Sequence, residues 1–218
     1  MKRRNIILGG AAATAFGGLA IGRIVGDEEP APLSKPDQGQ AYIPVIEDIA
    51  QGVPDAPVTL IEYASFTCSH CANFHATAYQ ALKSEYIDTG KIRYIYRDVF
   101  FDRYGVWASL IARCAGPDRY FGLIELIFES QARWVRAGSP TKVAEELRKI
   151  GLVAGLREDE LEACLQDKTH AENLVKWYQH NAEVDGIQST PSFVIGGQTY
   201  TNMAYSKLQD LINTELDD

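Results

Sequence analysis

Val58-Thr59-Leu60-Ile61-Glu62-Tyr63-Ala64-Ser65-Phe66-Thr67-Cys68-Ser69-His70-Cys71-Ala72-Asn73-Phe74-His75 is the stretch from which the fold is read. An apolar run of strand character, interrupted only by Glu62, delivers a Cys-x-x-Cys pair to the point where a helical pattern begins. The first turn of a helix carries unpaired backbone N–H groups and the positive end of the macrodipole, and both favour a thiolate over a thiol. Cys68 is therefore the expected nucleophile, with Cys71 one turn on, within reach for a short disulfide. His70 lies between them, and its imidazolium would stabilise the Cys68 anion further. A stabilised thiolate favours the reduced pair and so makes the disulfide an oxidant.

Two other readings fit the same residues. Cys68, Cys71 and His75 have the ligand-like spacing C-x2-C-x3-H, which suits zinc or copper, although a closed zinc site needs a fourth ligand and the remaining cysteines are distant. A purely structural disulfide is weaker, because so short a loop removes little unfolded-state entropy.

Outward from this stretch, Phe74, Ala78, Leu82 and Tyr86 recur at helical spacing, and Asp88-Thr89-Gly90 ends that helix. Lys91 to Val99 then reads as a strand with Ile92, Tyr94 and Tyr96 on one face and Arg93 and Arg97 on the other. A strand, helix, strand unit places the two strands parallel and adjacent. The next ninety or so residues carry helical stripes only: Trp107, Leu110, Ile111 and Cys114, then Tyr120 to Phe128, a helix opened by Ser139-Pro140 and closed by Gly151, Leu161 with Cys164 and Leu165, and Leu174 with Trp177 and Tyr178. This is a helical insertion expected to lie over the redox edge of the sheet. Cys114 and Cys164 sit on two of its stripes, as buried thiols or as a disulfide, and a pairing is favoured in an oxidising compartment. On the chain-entropy model such a bridge stabilises by ~4 kcal/mol.

Thr190-Pro191-Ser192-Phe193-Val194-Ile195-Gly196-Gly197-Gln198-Thr199-Tyr200 reads as a strand opened by proline, a glycine hairpin turn and a returning strand. A last helix carries Tyr205, Leu208, Leu211 and Ile212.

The termini and the charge bound the function. Lys2-Arg3-Arg4 precedes an uncharged stretch from Ile6 to Gly22 that is rich in Ala and Gly, which reads as an export signal, with Arg3-Arg4 similar to a twin-arginine pattern. Ala20-Ile21-Gly22 is a poor cleavage site, so retention as an N-terminal anchor stays open. Residues 27–55 form a proline-bearing tether, in which Tyr42 to Ile49 offers an edge strand or short helix. The formal charge is −8; setting aside four basic residues of the first 26, which hold no acid, leaves 17 basic against 29 acidic side chains, a net of −12. An acidic body argues against nucleic acid.

A helix-capping Cys-x-x-Cys, a long helical excursion, Thr190-Pro191 and a glycine hairpin together resemble the thioredoxin superfamily, and within it the DsbA-like exported thiol–disulfide oxidoreductases with a second cysteine pair in the helical domain. The resemblance covers residues 56 to 215. It implies an α/β thioredoxin-like fold with its first part at 56–100, a helical insertion at 101–185 and a second part at 186–218. It also implies a Cys68–Cys71 disulfide donated to reduced exported proteins, a cis Pro191 beside it that with Thr190 presents backbone to substrate, and Glu62 as a buried acid beneath the pair. Glu62 would relay a proton to the leaving Cys71, or would be a structural polar residue. A membrane reoxidase of the DsbB type is the partner expected with it, the export signal places the domain in the periplasm or on an N-terminal anchor, and a monomer with no cofactor and no metal is expected. The family usually has Pro-His between the cysteines; Ser69-His70 departs from it. An oxidase is expected over an isomerase, because the isomerases of this superfamily dimerise through an N-terminal domain and residues 27–57 are too few to form one. A metal carrier is the non-enzymatic alternative. His75 reads as a surface or helix-face residue, and His170 and His180 have no evident partner.

Overall fold

The computed structural model describes residues Ile46–Asp217. The expected export signal at 1–26 and most of the tether lie outside them. Among the described residues no helix is long and apolar enough to cross a membrane.

The apolar run becomes β2 (Val58–Ala64), which follows a two-residue strand β1 (Ala50–Gln51) and precedes β3 (Ile92–Asp98), β4 (Ser192–Ile195) and β5 (Gln198–Thr201). These strands form one sheet in the order β1-β3-β2-β4-β5. β2 and β3 are parallel, with Glu62 opposite Tyr96; β4 is antiparallel to β2, with Glu62 opposite Phe193. β2 is thus paired on both sides, and its buried residues explain why its sequence is almost continuously apolar. The edge element is Ala50–Gln51, antiparallel on β3, one residue beyond the segment expected to supply it. The hairpin from β4 to β5 turns at Gly196 and Gly197, φ +54° and +74°, the left-handed pair that a tight two-residue turn requires.

Between β2 and β3 runs α1 (Ser69–Ala76), then α2 (Ala78–Leu82), passing into a π-helical turn Lys83–Ile87. The single helix expected here is broken at Thr77, whose Oγ1 donates to the Asn73 carbonyl at 2.7 Å while its backbone leaves the helical region. Behind the break the buried stripe is Phe74, His75, Tyr79, Leu82 and Tyr86.

The helical insertion comprises α3 (Arg103–Cys114), α4 (Pro117–Glu129), α5 (Gln131–Trp134), α6 (Pro140–Val153), α7 (Glu158–Gln166) and α8 (Lys168–Val184), and α9 (Tyr205–Asp217) closes the chain. Asp102 caps α3 by accepting from the Tyr104 and Gly105 N–H groups. Buried Asp98 at the end of β3 accepts from Ser109 Oγ at 2.8 Å and pairs with Arg113, which fixes α3 to the sheet. Gly151 does not close its helix. It lies inside α6, where the Leu161 side chain packs against its α-carbon so closely that a Cβ would collide. Cys114 on α3 and Cys164 on α7 are joined by a disulfide across a separation of 50 residues. α4 packs on α1, so the insertion covers the helix that begins at the cysteine pair.

Candidate active site

The site is built where β2 ends. Directly beyond its last strand position the chain turns through Ser65 to Cys68, the Cys68 N–H donating to the Ser65 carbonyl at 3.0 Å, and Cys68 occupies the N-cap of α1. Its side chain makes no conventional cap hydrogen bond, so the sulfur stands at the open end of the helix. Cys68 is half-buried and Cys71, one turn along, is fully buried; the pair is reduced, with no disulfide between them.

The two sulfurs are driven apart in acidity. Cys68 is pulled from 9.0 down to about 5, first by the hydrogen bond that Cys71 donates to it, then, against the cost of its own burial, by the Thr190 side chain and the backbone N–H groups of Cys71 and His70. Cys71 is pushed far up, by donating that same hydrogen bond, by burial and by the charge of Glu62. The Thr190 carbonyl lies 3.6 Å from Cys68 Sγ and accepts from it only as a thiol, so this contact opposes ionisation and is outweighed. Thr190 is half-buried and Pro191 buried, with a cis bond between them, opening β4 beside β2.

His70 lies at the surface beside the helix start. Its imidazole is exposed and lines an open groove of about 410 Å³ with Phe74, Thr77, Met203 and Tyr205, and what it brings to the Cys68 sulfur is its backbone N–H.

His75 departs from its expected place at the surface. It is buried, 3% exposed, stacked on Phe128 with ring centroids 4.2 Å apart and in contact with Tyr79 and Tyr96. Its Nε2 lies 3.2 Å from Oε2 of Glu62, which is fully buried and also accepts from the Tyr94 hydroxyl. The C-x2-C-x3-H spacing therefore does not become a ligand set: among the described residues no three His, Cys, Asp or Glu side chains converge as metal ligands. His170 is half-buried and its pKa is lowered by burial and by Arg113; it is remote in the fold from this site, at a groove with Asp48 and Arg113.

Two further residues belong to the site and carry no sequence signal. Gln131, opening α5, donates from Nε2 to the carbonyls of both Phe66 and Cys68 at 2.8 Å, tying the helical insertion to the loop that presents the nucleophile. Tyr94, two strand positions from Tyr96 on β3, supplies the hydroxyl that holds Glu62, and its own ionisation is suppressed by burial and by the Glu62 charge.

A family model described as Thioredoxin matches residues 45–214. The chain belongs to the thioredoxin family. This thioredoxin-family chain is 31% identical over 172 residues to a Rickettsia bellii protein provisionally named a protein-disulfide oxidoreductase, an alignment covering 78% of this chain and 65% of that one. It thus spans just under two thirds of the length of the rickettsial relatives it matches. It is 26% identical over 174 residues to Disulfide bond formation protein D of Bacillus subtilis, covering 76% of this chain and 75% of that protein. Among solved structures, alpha-DsbA1 of Wolbachia pipientis superposes with TM-score 0.72 at 27% identity, covering 80% of this chain and 94% of the other. Oxidised BdbD of Bacillus subtilis shares the fold, with TM-score 0.68 at 22% identity and coverage of 78% and 94%. The architecture is thus the thioredoxin-like fold with a helical insertion, of the DsbA-like type.

Proposed function

We propose that the chain is an exported protein thiol–disulfide oxidoreductase that donates the Cys68–Cys71 disulfide to reduced exported proteins. The observation that carries this reading is the division of labour between the sulfurs: Cys68 accessible and held as a thiolate at neutral pH, Cys71 buried and held as a thiol. A substrate thiolate attacks Cys68 Sγ, the Cys68–Cys71 bond breaks and its electron pair goes to Cys71, which takes a proton. A second substrate thiolate then displaces Cys68, a good leaving group because its thiolate is stabilised. No cofactor enters this exchange. Glu62 is the relay to Cys71, buried beneath it and close enough for its charge to act on that sulfur. Thr190 and Pro191 flank Cys68 as the backbone edge against which a substrate segment lies. An oxidase is favoured over an isomerase or reductase because the stabilised thiolate lowers the energy of the reduced enzyme only. Return to the disulfide is assigned to a membrane reoxidase of the DsbB type, with the domain in the periplasm, acting as a monomer. The Cys114–Cys164 bridge supports the helical insertion and takes no part in turnover.

The test is trapping. Cys68→Ala abolishes oxidation of a reduced model peptide, and Cys71→Ala accumulates dithiothreitol-sensitive adducts with exported proteins. A Cys71→Ala protein that forms no such adducts overturns exchange through Cys68.

A further inference from the structure

We propose that His75 is the proton entry of the couple, an imidazole that recharges Glu62 from solvent through a groove between α1, α2 and α4. The inference rests on Glu62 serving as the relay to Cys71. Glu62 is fully buried, so a proton it gives to Cys71 must be replaced through another group. His75 is placed to do this: Nε2 lies 3.2 Å from Glu62 Oε2, an ion-pair distance, and both ring nitrogens are buried with no hydrogen-bond partner among the described residues. The ring forms part of the wall of a groove of about 300 Å³ that is lined also by Ala72, Ala76, Gln80, Glu125 and Glu129. That volume admits several waters or a small buffer acid.

The proton inventory closes. When the substrate thiolate attacks Cys68, the S–S bond breaks, Cys71 leaves with the electron pair and takes the Glu62 carboxyl proton. The Glu62 carboxylate is reprotonated by His75, and neutral His75 takes a proton from water in the groove. One proton is consumed for each mixed disulfide formed, and the released Cys68 thiolate needs none. The titratable groups around the ring are Glu62 and Tyr96 from the sheet, Tyr79 from α2, and Glu125 and Glu129 from α4, with Tyr94 reaching Glu62 from behind. His75 touches no reacting sulfur in this scheme; it is a positioning and relay residue acting through Glu62.

The experiment is single-turnover reduction of the oxidised protein by a thiol peptide at fixed peptide-thiolate concentration, from pH 5 to 8.5, for wild type, His75→Gln and Glu62→Gln. His75→Gln is expected to be about tenfold slower at pH 8 and closer to wild type at pH 5, with the Cys68 pKa unchanged when followed by thiolate absorbance, and added imidazole should restore its rate. A wild-type pH profile in His75→Gln, or a loss that imidazole does not restore, overturns the proposal. Slow Glu62→Gln beside wild-type His75→Gln overturns His75 alone and leaves the Glu62 relay standing, whereas wild-type Glu62→Gln removes the relay itself. If His75→Gln does not fold, Ala76→Trp at the exposed rim closes the groove and leaves the pair intact; the same loss at pH 8 supports the path, and a wild-type rate overturns it.

Discussion

Titrating Cys68 should change the stability of the reduced protein and leave that of the oxidised protein untouched. The thiol ionises at about 5 in the folded, reduced chain against 9.0 ordinarily. A depressed folded value stabilises at high pH: the contribution is complete above the ordinary value and is lost as pH falls through about 5. At pH 7 the folded value is two units below ambient, worth about 2.7 kcal/mol at about 1.36 kcal/mol per unit, and at pH 5 half-ionisation leaves about 0.4. Because the sulfur is half-exposed, solvent screening reduces the change of about 2.3 kcal/mol to roughly 1. Cys71 adds nothing in this window, since it stays a thiol in both folded and unfolded chains below pH 7. Urea unfolding at pH 5 and pH 7, with the protein reduced at Cys68–Cys71 alone and again fully oxidised, gives the difference in stability between the two forms, and other titrating groups cancel in that difference. The reduced-minus-oxidised stability should rise by roughly 1 kcal/mol from pH 5 to pH 7. A flat difference, or one that grows toward acid, refutes the assignment of the ionised sulfur to Cys68.

Two further outcomes follow from the geometry. Replacing both Cys114 and Cys164 with Ala opens a loop of 50 residues and should cost ~4 kcal/mol, lowering Tm by about 8–16 °C while turnover persists; free alkylatable thiols at both positions in native protein would contradict the pairing. His70→Ala retains the backbone N–H that reaches the sulfur, so absorbance near 240 nm should place the Cys68 pKa within about half a unit of wild type, and a rise of a full unit would return the activation to the imidazole.

What could be read from the chain alone was whatever is decided by neighbours in sequence. The β2 run, the cysteine pair at a helix start, the face alternation of β3 and the glycine hairpin are local patterns, and each is where the sequence reading put it. What escaped reading depends on distant chain. His75 lies on α1 between buried Phe74 and exposed Ala76, and the ring that stacks over it comes from Phe128, more than fifty residues on. Gln131 is an ordinary polar residue at a helix start until the loop carrying Cys68 arrives beside it. Gly151 matches the pattern of a helix terminator, yet it serves the close approach of α7, which no local rule registers. At His70, proximity in sequence puts an imidazole near the sulfur, while the fold leaves that side chain exposed on a groove and brings its backbone N–H to the sulfur. The break at Thr77 is a competition between a side-chain hydroxyl and the helix backbone that spacing of apolar residues does not report.

The central claim is that the Cys68–Cys71 couple is oxidising because one sulfur is held as an anion and the other as a thiol. Equilibration of the protein with glutathione buffers, quenched in acid, alkylated and read by mass, measures this directly. The account predicts a couple that is mostly reduced in a buffer poised at about −200 mV, since each ~1.4 kcal/mol favouring the reduced form raises the potential by about 30 mV. A couple that remains mostly disulfide in the same buffer contradicts it.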